Sequence, residues 1–268
     1  MTIPRSVAVA TVALALAVSS VVDARNHLSG RKGGAPESQE EAGGDARMDI
    51  TASGLTPVFP REAVCPDIAS PFASRTRYDG SRRPTDRFGG MHGGIDISLV
   101  EGTPLLAVAA GKVVSVGTGG MLTGHYLWLQ HAPHDTGLPF WVYAKYQHFR
   151  DVPNLPVGAP VKAGQVIGMS GKTGTAGRHY GMNGYPHLHL TTFAGGADQY
   201  ETRDTSVVVP GARIVDPLTI YVRGLRELSD VERLAAERKA VSIPYVAEDG
   251  SARPSDARIV WPVRCKVR

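Results

Sequence analysis

Glycine and proline recur at short intervals through most of this chain and limit the length of any regular element. The 268 residues include 31 glycines and 19 prolines. From about Leu55 these residues separate short apolar runs, which is typical of β-strands joined by turns. Strands are predicted at residues 105–108, 112–116, 126–130, 140–146, 161–168 and 187–193. The sequence therefore predicts a mainly β fold.

A helix is predicted only near the C-terminal end of the chain. Ser229 and Glu232 have the spacing of a capping box, in which each side chain bonds a backbone N–H at the start of a helix. The pattern predicts a helix from this point to about Val241. We therefore divide the folded part into a domain of residues 55–225 and a C-terminal extension, residues 226–268, with one short helix.

The first 24 residues have the organisation of a secretory signal peptide. Arg5 supplies positive charge, residues 6–22 are apolar, and Ala24 ends a stretch suited to cleavage. A membrane-spanning helix is the alternative, but the apolar run has only 17 residues. We expect export to a periplasm or to the outside of the cell, with no stable membrane span after cleavage.

Residues 25–54 are predicted to form a disordered linker, because large apolar side chains are rare there. The net charge of the whole chain is +4. This value suits an acidic partner such as a cell wall, and it is too small to indicate nucleic acid. No nucleic-acid motif is present in the sequence, and the sequence does not indicate an oligomeric state.

Two short motifs contain possible metal ligands. His92 and Asp96 are four residues apart with glycines between them, so an extended, bent segment must bring them together. His187 and His189 alternate with leucines on a predicted strand, which places both imidazoles on one face. Each spacing is expected by chance at an appreciable rate in a chain with nine histidines.

A third motif is the pair Tyr146 and His148, which alternation on a strand also predicts to share one face. Together the three motifs supply the donors of an open zinc site, which typically uses three protein nitrogen or oxygen ligands and keeps a fourth position for water. Cys65 and Cys265 are not spaced as a zinc knuckle.

A longer collinear pattern surrounds these motifs and resembles the lysostaphin/LytM-type zinc metallopeptidases, which are peptidoglycan endopeptidases. The resemblance covers roughly residues 65–222. The segments that carry it are Ser70-Pro71-Phe72-Ala73-Ser74-Arg75, His92-x-Gly94-Ile95-Asp96, Gly102-Thr103-Pro104, Ala109-Ala110-Gly111-Lys112-Val113-Val114, Val161-Lys162-Ala163-Gly164-Gln165-Val166-Ile167-Gly168, His187-Leu188-His189 and Val215-Asp216-Pro217-Leu218.

The resemblance implies an antiparallel β-sheet with an active-site groove, of the duplicated-hybrid-motif type. It implies one Zn²⁺ per chain, held by His92, Asp96 and His189, with His148 and His187 as catalytic residues. Peptidoglycan is the implied partner. We interpret His131, at the end of a predicted strand, as structural.

The sequence departs from the family pattern beside the second histidine motif. Residues 175–186 form a longer insertion than is usual there, and Leu190-Thr191 stands where the family has Phe-Glu. Ala73 also replaces a glycine. Loops that border a rigid site commonly set specificity, so these departures leave the substrate bond open.

Two other functions are compatible with parts of this pattern. A non-catalytic relative would bind peptidoglycan or regulate another cell-wall hydrolase, but such relatives have lost ligands that are present here. A zinc D-Ala-D-Ala carboxypeptidase uses a wider His–Asp spacing and a glutamate base. The four-residue spacing of His92 and Asp96 and the lack of a glutamate near His189 argue against it.

The two cysteines bracket the whole predicted catalytic domain. In an exported chain Cys65 and Cys265 are candidates for a disulfide that joins the start of the domain to the C-terminal tail. Two unpaired thiols are the alternative.

Overall fold

The computed structural model describes residues 50–85, 88–175 and 184–268. The predicted signal peptide and most of the predicted linker lie outside these residues. The described end of the linker packs on the domain, since Ile50 is buried and the Ser53 hydroxyl donates a hydrogen bond to the Asp216 carboxylate. Within the described ranges, no helix combines the length and apolar character needed to cross a membrane.

Short strands make up most of the regular structure, as the glycine and proline spacing predicts. Those in the first half of the chain are Thr56–Val58 (β1), Ala63–Val64 (β2), Ile68–Ser70 (β3), Ile95–Ser98 (β4), Pro104–Leu106 (β5), Gly111–Thr118 (β6), His125–His131 (β7) and Trp141–Phe149 (β8). Those in the second half are Pro160–Val161 (β9), Val166–Met169 (β10), His187–Gly195 (β11), Glu201–Arg203 (β12), Ser206–Val208 (β13), Arg213–Val215 (β14), Ala240–Ser242 (β15), Tyr245–Val246 (β16), Ala252–Arg253 (β17) and Lys266–Val267 (β18).

Each of the six predicted strands corresponds to a strand of the structure, with one subdivision. The run at residues 161–168 includes the end of β9 and most of β10, because Gly164 turns the chain between them with a φ of 73°. Helices are short throughout the described residues. The α-helix is Pro133–Thr136, and the 3₁₀ turns are Phe88–Gly90, Pro217–Tyr221, Leu228–Val231 and Ala236–Arg238.

One antiparallel sheet organises the domain and carries the predicted site. Its strands follow the order β3-β4-β11-β8-β7-β6-β9, and β14 pairs with the distal half of β11. Every pairing in this sheet is antiparallel. The prediction of a mainly β domain built on an antiparallel sheet is confirmed.

Apolar side chains on one face of this sheet form the main core. Ile97 on β4, Leu188 and Leu190 on β11, and Tyr146 on β8 are all fully buried there. Since side chains alternate along a strand, the residues between them face the opposite side. The predicted assignment of Leu188 and Leu190 to the core is therefore confirmed, and His187 and His189 share the other face.

The C-terminal extension differs from its prediction. Instead of one helix from Ser229 to about Val241, the chain forms two separate 3₁₀ turns and then β15, which pairs in parallel with β1. Asp230, rather than Glu232, acts as the capping side chain, and it accepts hydrogen bonds from the backbone N–H groups of Arg226 and Glu227. Long-range pairing and burial override the local helical preference here.

The rest of the extension is part of the core. Trp261, Val263 and Cys265 are fully buried, and β18 pairs with β2 at the start of the domain. Cys65 and Cys265 form a disulfide with a Cα–Cα distance of 4.4 Å. The disulfide considered from the sequence is therefore present in the structure.

The disulfide closes a segment with a sequence separation of 200 residues. In the chain-entropy model, a closed loop of this size stabilises the fold by up to about 5 kcal/mol. We expect the double substitution Cys65→Ala, Cys265→Ala to lower the free energy of unfolding in urea by several kcal/mol. Wild-type protein kept in reductant is the matched control and should show the same loss. Two reactive thiols in the unreduced, denatured wild type would contradict the disulfide.

Candidate metal centre and active site

Adjacent strands of the main sheet bring the predicted metal ligands together. Asp96 on β4 lies directly opposite His189 on β11, and Ser70 on β3 lies opposite Asp96. His92 precedes β4, and the intervening Gly94 has no room for a Cβ because the Leu190 carbonyl of β11 lies against it. The glycine of the His-x-Gly-x-Asp segment therefore permits the close approach that places His92 beside His189.

Three atoms of this group face one another. His92 Nε2 lies 3.1 Å from His189 Nδ1 and 3.1 Å from Asp96 Oδ1. His189 Nδ1 lies 2.8 Å from the same carboxylate oxygen. Three atoms with these separations can all lie about 2 Å from one ion, which is the usual zinc–nitrogen and zinc–oxygen distance. Nitrogen and carboxylate donors also match the chemistry that zinc prefers.

The outer nitrogen of each ligand imidazole has its own partner. His92 Nδ1 donates to the Pro71 carbonyl at 3.0 Å, and His189 Nε2 lies 2.9 Å from the Thr191 hydroxyl oxygen. A neutral imidazole that donates from one nitrogen presents a lone pair on the other. With a metal ion bound, the tautomers protonated at these outer nitrogens would direct both lone pairs to the space shared with Asp96, as metal-ligating histidines require.

The Asp96 carboxylate is buried and ionised. Burial alone would raise its pKa, but the neighbouring His92 and His187 and the hydrogen bond from His189 outweigh this and hold the pKa well below its ordinary value. Its second oxygen, Oδ2, faces Arg83, whose Nη2 lies 3.3 Å away.

His187 lies beside the three possible ligands. Its Nε2 is 3.7 Å from Asp96 Oδ1, and its Nδ1 donates to the Tyr185 carbonyl at 2.8 Å. The Tyr185 ring also stacks on the imidazole, with ring centroids 4.5 Å apart and an interplanar angle of 16°. Both contacts hold the imidazole with Nε2 directed toward the centre.

His148 reaches the same site through a β-bulge. His125 and Tyr126 of β7 pair with Phe149 and Gln147 of β8, so His148 is the extra residue between two pairs, and its φ is 67°. A bulge of this kind redirects a side chain. The imidazole lies 4.6 Å from that of His187, and its Nδ1 donates to the Thr173 carbonyl.

The structure places Tyr146 and His148 on opposite faces of the sheet, so the prediction that they share a face is wrong. Simple alternation predicted that Tyr146 and His148 share a face, whereas Tyr146 is in the core and its hydroxyl accepts a hydrogen bond from the Val108 backbone N–H. Gln147 instead occupies the site face, directly opposite His189. No sequence pattern indicated the bulge, because the residue with positive φ is a histidine rather than a glycine.

Sequence comparisons match the region of the chain that contains this donor set. The profile described as Peptidase family M23 matches residues 90–200, which contain all five predicted site residues. The chain carries an M23 peptidase domain. The resemblance to lysostaphin/LytM-type peptidases is thereby confirmed.

Individual relatives match the same region. Lysostaphin of Staphylococcus simulans is 38% identical over 102 residues, which are 38% of this chain and 18% of lysostaphin. Glycyl-glycine endopeptidase ALE-1 of Staphylococcus capitis is 36% identical over 102 residues, which are 38% of this chain and 24% of that protein. This chain therefore spans less than a quarter of either curated relative.

Among solved structures, the catalytic domain of lysostaphin from Staphylococcus simulans is similar to this chain. The identity is 28%, the match covers 50% of this chain and 84% of that domain, and the TM-score is 0.37.

One departure of this M23 domain from the family pattern has a structural role. Where the family has Phe-Glu after the histidine pair, Leu190 packs in the core and the Thr191 hydroxyl lies 2.9 Å from His189 Nε2. The substitution therefore leaves the outer nitrogen of His189 with a partner. The insertion at residues 175–186 lies mostly outside the described residues.

A cavity of about 120 Å³ opens onto the five predicted residues. Sequence reasoning missed several described side chains that line it, namely Arg77, Tyr78, Arg83 and Gln147. Gln147 is 1% exposed, and its amide has no hydrogen-bond partner among the described residues. The place of Gln147 opposite His189 depends on strand register, and its surroundings depend on the fold of the loops. No spacing in the sequence therefore indicates that Gln147 lines the cavity.

His131 lies apart from this cavity, as predicted. It is fully buried, and its Nδ1 donates to the Ala110 carbonyl at 2.7 Å. Burial lowers the pKa of His131 from 6.5 to about 4. The imidazole is therefore neutral in the folded domain at neutral pH.

This shifted pKa predicts a loss of stability in acid. As the pH falls below 6.5, the imidazole takes up a proton in the unfolded chain but not in the folded chain until about pH 4. The free energy of unfolding therefore falls between pH 6.5 and about pH 4, by up to about 3 kcal/mol at the lower end of this range. In His131→Asn, which keeps a donor for Ala110, the free energy of unfolding in urea should fall less between pH 6.5 and pH 4. The exposed His134→Asn serves as control, and equal acid losses in all three proteins would contradict this role.

Proposed function

We propose that this chain is a zinc-dependent endopeptidase that hydrolyses peptide cross-links of bacterial peptidoglycan. The observation that carries the proposal is the convergence of His92, Asp96 and His189 beside His148 and His187 in one cavity of an M23 domain. The name of one relative, a glycyl-glycine endopeptidase, supports a peptide as substrate. Peptidoglycan is the substrate class that the resemblance implies.

The ligands of the proposed zinc are His92 through Nε2, Asp96 through Oδ1 and His189 through Nδ1. Three protein ligands leave a coordination position for substrate chemistry, in contrast to closed structural zinc sites. When bound, zinc supplies Lewis acidity, which polarises a peptide carbonyl and activates water for attack.

The two remaining histidines provide proton transfer. Each donates from Nδ1 to a backbone carbonyl, His148 to Thr173 and His187 to Tyr185, so each presents an unprotonated Nε2 to the cavity. In the proposed mechanism one Nε2 accepts the proton of the attacking water. The resulting imidazolium then stabilises negative charge on the carbonyl oxygen or returns the proton to the leaving amine. A glutamate base is not required.

The intact donor set argues against a purely binding or regulatory role. A zinc D-Ala-D-Ala carboxypeptidase is disfavoured because no glutamate is among the described residues that line the cavity. Export to a periplasm or to the outside of the cell is part of the proposal. The Cys65–Cys265 disulfide supports it, since structural disulfides persist in oxidising compartments.

The first functional prediction concerns metal and substrate together. Residues 25–268 should contain one zinc per chain after gentle dialysis and should hydrolyse the peptide cross-links of purified sacculi, with products identified by mass. A chelator should abolish this loss of cross-links, and added zinc should restore it. A preparation without zinc that gains no activity on zinc addition would refute the enzymatic function. Release of terminal D-alanine alone would indicate the carboxypeptidase instead.

A second prediction separates the roles of the histidines. His189→Ala removes a ligand, so zinc content and sacculus digestion should be lost together. His187→Ala and His148→Ala should each keep one zinc per chain while the rate falls by about 10² to 10⁴, the range typical of proton-transfer and oxyanion groups. The exposed His134→Ala should match the wild type in both measurements. Loss of zinc in His187→Ala with retention in His189→Ala would reverse the assignment.

A further inference from the structure

Among the described residues, Arg83 is a charged side chain that contacts a proposed ligand and that neither the sequence motifs nor the proposed mechanism uses. It follows a tight turn of the loop between β3 and β4, which is fixed by hydrogen bonds from the Arg77 N–H to the Ser81 carbonyl and from the Arg83 N–H to the Arg75 carbonyl. The loop carries the guanidinium to the cavity wall, where the side chain is 17% exposed.

One nitrogen of this guanidinium touches two elements of the centre. Arg83 Nη2 donates to Ser70 Oγ at 2.9 Å and to Asp96 Oδ2 at 3.3 Å. Ser70 lies opposite Asp96 in the sheet, and its hydroxyl is 3.4 Å from His92 Nδ1. The side chain therefore contacts one proposed ligand directly and a second one through Ser70.

The two oxygens of Asp96 have different surroundings as a result. Oδ2 is taken by Arg83, while Oδ1 faces His92 and His189. A carboxylate free to rotate about its χ2 angle would share its two oxygens between these environments. A hydrogen bond from a fixed guanidinium removes that freedom and leaves one oxygen for the metal.

We infer that Arg83 is a positioning residue for the metal centre, which holds Asp96 in a one-oxygen ligand geometry and braces His92 through Ser70. This inference rests on the proposed zinc site. The direction in which zinc affinity changes when Arg83 is replaced distinguishes a positioning role from a purely electrostatic one. A nearby positive charge repels a cation, so removal of charge alone would strengthen zinc binding, whereas loss of positioning would weaken it.

Arg77 offers a matched control for charge. It lines the same cavity, but its Nη1 donates to Ser81 Oγ and to the Arg82 carbonyl instead of to Asp96. Arg77→Gln therefore removes the same charge from the same wall and leaves the hydrogen bonds of Asp96 in place.

The test is a competition titration of zinc against a chelating dye, with the cobalt-substituted absorption spectrum as a second measurement. Arg83→Gln should bind zinc about 10- to 100-fold more weakly than the wild type, the usual effect of losing an outer hydrogen bond to a ligand. Its cobalt spectrum should change, because Asp96 is no longer held in one orientation. Arg83→Lys, which keeps the charge and one donor group, should lie between the two, and Arg77→Gln should bind zinc at least as tightly as the wild type.

Equal or tighter zinc binding by Arg83→Gln would overturn the inference, as would an equal loss in Arg77→Gln. If Arg83→Gln fails to fold, Ser70→Ala replaces it, since that change removes the partner through which Arg83 reaches His92 and should also weaken zinc binding. A wild-type chain that binds no zinc would refute the proposed function and this inference together. Zinc binding by the wild type with unchanged affinity in the variants would refute the inference alone.

Discussion

The antiparallel pairing of β4 with β11 is the constraint on which the rest of the structure depends. In this register Asp96 lies opposite His189 on one face of the sheet, and Ile95 lies opposite Leu190 on the other. Because side chains alternate along a strand, a slip of one residue in β11 would bring Leu190 to the site and bury His189 in the core. Burial of the leucines therefore fixes the position of the ligands.

The pairing of β8 with its two neighbouring strands explains why the site tolerates local backbone strain. His148 has a positive φ, which costs free energy for a residue with a side chain, and it is held there because β8 is paired on both sides, with β7 and with β11. Backbone carbonyls outside the strands, those of Pro71, Thr173 and Tyr185, accept hydrogen bonds from three of the imidazoles. The outer nitrogen of the fourth, His189, faces the Thr191 hydroxyl.

Local sequence patterns predicted most of the arrangement of core and site residues on the main sheet. Alternation assigned Leu188 and Leu190 to the core and His187 and His189 to the opposite face, and the collinear motifs identified the family. These inferences succeeded because strand alternation is a local property. The bulge at His148 and the positions of Arg83 and Gln147 could not be predicted, because they depend on strand register and on the fold of the loop between β3 and β4. The predicted C-terminal helix was wrong for the same reason, since the pairing of β15 with β1 involves residues at the other end of the domain.

The Cys65–Cys265 disulfide has a topological consequence for the domain. It converts the chain from residue 65 to residue 265 into a covalent ring, and every strand of the main sheet, from β3 to β14, lies inside that ring. The loop that carries Arg83 and the insertion beside the histidine pair also lie within it. A single proteolytic nick in any of these loops opens the ring without releasing a fragment. The two pieces remain attached through sulfur, and the mass of the domain, apart from one added water, is unchanged until the disulfide is reduced.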